Sequence, residues 1–152
     1  MNVSDIMTPK PVTVNQDQTL REALALMEAV GCHHLPVTGY DGHLVGILSD
    51  RDCRTALHSP YLLSEGWQEN ELTQRLRVRT VMTPAPIIVE PDSPVVEAAR
   101  LMLSNHINCL PVMRSETLVG ILTTSDILIA FMQVMNREQT RIVPSTDGER
   151  DD

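Results

Sequence analysis

The sequence predicts an α/β (α+β) protein made of two tandem βαββα units, packed about a pseudo-twofold axis. Three observations predict it. VSDIMTPKPVTV at 3–14 returns as VRTVMTPAPIIV at 78–89. HHLPV at 33–37 and EALALM at 22–27 return at the same offset, as NCLPV at 108–112 and EAARLM at 97–102. LVGIL at 44–48 returns unchanged at 118–122, after one residue is lost from the preceding turn. A match in one order over so long a stretch is a tandem duplication, and each copy reads as one supersecondary unit.

The elements follow in order. Met-Thr-Pro opens each unit in an extended conformation, because a residue before proline is pushed out of the helical region. The β-branched runs VTV (12–14) and IIV (87–89) predict short strands. A helix follows. In the first unit Thr19 and Glu22 have the spacing of a capping box and Gly31 suits the C-terminal stop. In the second unit Ser93 is expected to cap, with Pro94 at the first helical position. Leu20, Leu24 and Met27 lie on one helical face, widened by Ala23, Leu26 and Val30, which makes that stripe core.

HLPV and LVGIL are apolar runs around TGYDGH, where Asp41-Gly42 signals a turn, so they predict a hairpin. Ser49 or Asp50 then opens a second helix through about Leu57. Its counterpart opens at Thr123 to Ser125 and runs through about Met135. The units are thus 1–57 and 78–135. The link, 58–77, begins with a Ser-Pro turn and predicts a short helix over 68–77, with Tyr61, Trp67 and its leucines packed rather than dangling. Residues 136–152, with a charged end, are expected to be a mostly disordered tail. One unit alone leaves part of its apolar surface uncovered, and pairing two units buries it.

Composition narrows the function. The chain has 152 residues, enough for one ordinary domain or two small halves. Its hydrophobic content of 42% supports a real core, built almost without aromatic residues, which make up 3%. A net charge of −8 argues against nucleic-acid polymers and anionic membranes as partners. Scarce aromatics argue against single-strand stacking as well. Cys32, Cys53 and Cys109 form no CxxC pair, and no signal-like segment follows Met1, so the expectation is reduced thiols in a cytoplasmic protein. No apolar run approaches the roughly 20 residues that span a bilayer.

Paired units carrying MTxxP, LPV and GI(L/V)(S/T)xxD resemble cystathionine-β-synthase (CBS) domains, here as one tandem pair, a Bateman module, over residues 1–135. SPYLLSE in the link also resembles the stand-alone pairs of the acetoin-utilisation type. The resemblance implies a non-catalytic regulatory module that binds an adenosine-containing ligand in the cleft between the repeats: AMP, ADP, ATP or S-adenosylmethionine. It implies no catalytic cofactor, a homodimer, and a regulated protein that the sequence does not name.

Carried over by position, Asp52 and Asp126 are expected on ribose hydroxyls. Ser49 and Arg51, against Thr123 and Ser125, are expected near the sugar and phosphates. His33 and His34, against Asn108 and Cys109, are expected at phosphate, and Thr13 against Ile88 at the base or ribose. Repeat one carries the more cationic set, with Asp50 partly opposing it, so the first site is expected to prefer a di- or triphosphate and the second a less charged ligand.

The chemistry supports these roles independently. A carboxylate can accept from both hydroxyls of a ribose. A helix N-terminus leaves N–H groups for phosphate oxygens, and arginine is a planar, permanent donor to them. The competing readings are structural. Asp52 and Asp126 would then be first-turn helix acids, and Ser49 and Thr123 plain N-caps. Cys32-His33-His34 cannot chelate one metal ion, because successive strand residues point to opposite faces. No activated nucleophile or paired carboxylates suggest an enzyme. ILIAFMQVM at 127–135 is apolar nearly all round, which predicts either a buried helix or self-association. The rival function is a ligand-free dimerisation or partner-binding scaffold.

Overall fold

The structure is a computed structural model that describes residues 1–142. Each repeat opens with one helical turn, α1 (Val3–Ile6) in the first, followed by the two-residue strand β1 (Thr8–Pro9). A second strand, β2 (Val14–Asn15), leads to α2 (Leu20–Val30), then the hairpin β3 (His34–Thr38) and β4 (Leu44–Ser49), then α3 (Asp50–Leu57). The link holds α4 (Pro60–Ser64) and α5 (Glu69–Arg75). The second repeat runs α6 (Val78–Val81), β5 (Thr83–Pro84), α7 (Val95–Asn105), β6 (Cys109–Arg114), β7 (Thr117–Thr123) and α8 (Thr124–Ile142).

Two sheets result, in the orders β2-β3-β4-β5 and β1-β7-β6. Each takes an edge strand from the other repeat. β1 pairs antiparallel with β7 (Thr8 opposite Ile121), and β5 pairs antiparallel with β4 (Thr83 opposite Ile47). The leading turns cross over with them. Val78 N donates to Gln18 O at 2.8 Å, and its equivalent, Val3 N, donates to Ser93 O at 2.9 Å. Leu20 N to Leu76 O and Val95 N to Met1 O form a second equivalent pair. Val78 is accordingly buried with Val14, Leu20, Leu35 and Leu48 of the first repeat, and Val3 with Ala98, Leu110, Val112 and Leu122 of the second.

This exchange explains the glycine in both LVGIL runs. A Cβ on Gly46 would stand 2.6 Å from Met82 Sδ and 2.9 Å from Thr83 O, and one on Gly120 would meet Met7 Sδ and stand 3.1 Å from Thr8 O. The borrowed strand reaches its place only because that position has no side chain.

Most local expectations hold. Thr19 Oγ1 accepts from Glu22 N at 3.2 Å, although the Glu22 carboxylate turns to Gln18 rather than closing the box. Gly31 ends α2 in the left-handed conformation at φ 75°. The stretch around Gly42 (φ 79°) turns the hairpin. α5 fills most of the helix expected in the link, and Leu72 from it is buried against α2 and α3, with Leu62, Trp67 and Leu76 packed beside it, whereas Tyr61 and Leu63, expected to pack, are exposed.

Three details differ. The IIV run forms no strand; only Val89 bridges, to Val112, and in VTV only Val14 enters the ladder. Pro11 and Pro86 precede these runs and have no N–H to contribute, and the chain there is passing between sheets. Ser93 accepts from Glu90 N and closes a turn, so Pro94 rather than Ser93 is the N-cap of α7. Helix α8 continues to Ile142, past the start of the expected tail; the rest of that tail, 143–152, lies outside the described residues.

Candidate functional site

Because β1 belongs to one sheet and β2 to the other, residues 10–13 cross between sheets. Residues 85–88 cross the opposite way. The two crossings are built alike. Lys10 (φ 47°) and Ala85 (φ 45°) are left-handed non-glycine residues, each followed by proline. Lys10 N donates to Val119 O and Ala85 N to Val45 O, both at 3.2 Å. The crossings leave Val12, Ile87 and Ile88 exposed, at 39%, 37% and 46%. Thr13 sits in the first crossing, on the lining of a cavity of about 540 Å³ shared with Lys10 and the tips of both hairpins.

At the opposite end of each hairpin a strand runs into a helix. His34 lies across from Ser49, and Cys109 across from Thr123. Asp50 N donates to His33 O at 3.0 Å, as Thr124 N does to Asn108 O. The fold therefore gathers His33, His34, Ser49, Arg51 and Asp52 around the β4–α3 junction. It gathers Asn108, Cys109, Thr123, Ser125 and Asp126 around the β7–α8 junction. Thr13 and Ile88 lie in the crossings, outside both junctions.

The first junction carries fewer mobile positive charges than its sequence suggests. His33 Nδ1 is 2.9 Å from Asp50 Oδ2, and Arg54 approaches the same oxygen at 3.7 Å. Burial alone would push the Asp50 carboxyl up, but His33 and Arg54 outweigh it and hold it below the usual range. Burial pushes the His34 imidazole down despite the nearby Asp50 and Asp52, which favours its uncharged form. Arg51 is exposed and makes no ion pair among the described residues, which leaves its guanidinium available to an anion. Ser49 Oγ accepts from Asp52 N at 3.0 Å and caps α3. Asp52 opens onto a cavity of about 370 Å³ lined also by Thr55, Ser59 and Thr80.

At the second junction Thr123 and Asp126 form a reciprocal cap. Asp126 N donates to Thr123 Oγ1, and Thr123 N donates back to Asp126 Oδ2 at 2.9 Å. Cys109 is buried and its thiol is pushed far up, by burial first and by Asp126 second, so its side chain is a core group. Burial, with Asp52 and Asp50 adding to it, likewise raises Cys53 to about 11. Thr80 was not singled out from the sequence. It comes from the segment that crosses to the other repeat, and no local pattern marks that exchange.

The CBS domain model matches this chain twice, over residues 3–59 and 78–133. The chain belongs to the CBS domain family. As a CBS pair it is similar to a candidate acetoin utilisation protein (AcuB) from Vibrio cholerae, with 31% identity and a TM-score of 0.74 over 95% of this chain and 98% of that one. It is similar to a CBS domain pair in complex with 5′-methylthioadenosine and S-adenosyl-L-methionine, at 28% identity and TM-score 0.75, covering 88% and 98%. CBSX2 in complex with AMP is 31% identical, with TM-score 0.69 over 88% and 98%. The CBS pair here has no helix, among the described residues, long and apolar enough to cross a membrane.

Proposed function

We propose that this CBS pair is a non-catalytic regulatory module that binds an adenosine-containing ligand between its repeats and signals by a change in their packing. The observation that carries this reading is the duplicated strand-to-helix junction, each copy keeping a hydroxyl and an aspartate three residues apart. Similar pairs hold AMP, or S-adenosyl-L-methionine and 5′-methylthioadenosine. Asp52 and Asp126 take the ribose hydroxyls. Ser49 and Arg51, or Thr123 and Ser125, serve the sugar and phosphate side. His33, His34, Asn108 and the Cys109 backbone line the phosphate approach. Thr13 and Ile88, on the crossings, meet the base or ribose, where exposed Val12 and Ile87 add apolar surface. Signalling requires a ligand that favours one packing of the repeats over another.

The module acts as a homodimer. α8 exposes Leu128, Ile129, Phe131 and Met132, each at half its surface or more, and a second copy would cover them. Three free thiols support a reducing, cytoplasmic setting. Thermal melting against AMP, ADP, ATP, S-adenosylmethionine, NADH and cyclic dinucleotides tests the reading. A ligand at 100 times its Kd stabilises the fold by about 2.7 kcal/mol. A shift with an adenosyl compound is expected, and no shift with any of them would favour an empty scaffold.

A further inference from the structure

The two junctions share a spacing but not a hydrogen-bond pattern. Asp126 Oδ2 already accepts twice, from Thr123 N at 2.9 Å and from Thr123 Oγ1 at 3.0 Å. At the first junction only the backbone of Asp52 is engaged, its N–H donating to Ser49 Oγ, and its carboxylate accepts no hydrogen bond among the described residues. A ribose presents two neighbouring O–H donors and is held best by two acceptor oxygens. Asp52 offers both oxygens beside a cavity, and Arg51, the residue before it, makes no ion pair among the described residues. Asp126 offers one, unless the cap that starts α8 is broken.

We infer that the two sites fill in order, the Asp52 site first and the Asp126 site only as a ligand displaces Thr123 from its aspartate. This rests on the adenosine reading above and adds regulation to it: the second occupancy, not the first, is coupled to the start of the helix that carries the exposed apolar face. Losing a net hydrogen bond lowers affinity by up to about tenfold, which sets the expected gap between the sites.

Calorimetric titration of the full chain with AMP, ADP, ATP and S-adenosylmethionine, in the wild type and in Asp52→Ala and Asp126→Ala, is the test. Two steps about tenfold apart are expected, with Asp52→Ala losing the tighter step and Asp126→Ala keeping it. A single step lost only in Asp52→Ala supports the order as well. Ligand-free melting gives an independent reading: Asp126→Ala should melt lower than Asp52→Ala, since both remove a first-turn acid but only one removes a cap. Asp126→Asn, which keeps one acceptor, replaces the alanine variant if that does not unfold cooperatively. Equal steps, loss of the tighter step in Asp126→Ala, or matching ligand-free melting temperatures would overturn the order alone. No heat with AMP, ADP, ATP or S-adenosylmethionine in any variant would overturn the adenosine reading, and the order with it.

Discussion

Gly46 and Gly120 show how one residue can be dictated by a neighbour far away in sequence. A methionine side chain and the backbone carbonyl that follows it, both from the borrowed segment, crowd the space a side chain would need, and the carbonyl cannot rotate away. Gly46→Ala and Gly120→Ala should each cost about 1–3 kcal/mol, typical of overpacking, as read from urea unfolding midpoints. A second residue-scale effect involves His43, between the hairpin tips. Its Nδ1 is 2.7 Å from Asp41, and its Nε2 is 3.6 Å from Glu116 of the other repeat. The hydrogen bond and charge of Asp41, then Glu116, raise its pKa above 6.5. A raised folded-state pKa contributes stability that is full below the unfolded value and is lost as pH rises through the folded one. The melting temperature of the wild type relative to His43→Gln should therefore fall as pH climbs from about 6 to 8, and an unchanged difference would disprove the contribution.

The longer helices were legible in the sequence because their signals are local: a cap at Thr19, a glycine stop at Gly31, an apolar stripe between; the short helices α1, α4 and α6 were not. Nor were the short strands. VTV and IIV have β-branched residues, but their neighbours are decided by which sheet the chain is crossing to, and that is a long-range fact. The clearest difference between the repeats is also at this scale. Leu57 at the end of α3 is 2% exposed, beneath the link, whereas its counterpart Phe131 in α8 is 60% exposed. The link supplies repeat one with a cover that repeat two lacks among the described residues. Leu72→Ala, which empties that cover, should cost about 2–5 kcal/mol in chemical unfolding. On the proposal of a homodimer through α8, Phe131→Glu should leave the monomer's stability nearly unchanged while abolishing self-association, as measured by sedimentation velocity; an unaltered oligomer would place the contact elsewhere, and a monomeric wild type would overturn the proposal.

For the molecule as a whole, the duplication and its family were plain from the sequence, and so were the two strand-to-helix junctions with their aspartates. What stayed hidden was that the repeat in sequence is not the unit of packing. Nothing in MTPKP says that Thr8 pairs with Ile121, because the pattern is identical whether the strand joins its own sheet or the other. The asymmetry of the aspartates was hidden for a similar reason: Ser49 and Thr123 are both good caps, and only geometry shows which one also holds the carboxylate.

The traded edge strands bear on how such a chain could arise. A lone unit has a leading segment that finds no place on its own sheet, and a sheet edge that this segment would fill in a twin. A gene for one unit would therefore specify two chains clasped together, each completing the other. Joining two copies end to end makes that partnership covalent and releases the halves from being identical. Arg51 on one side and Ser125 on the other record that release.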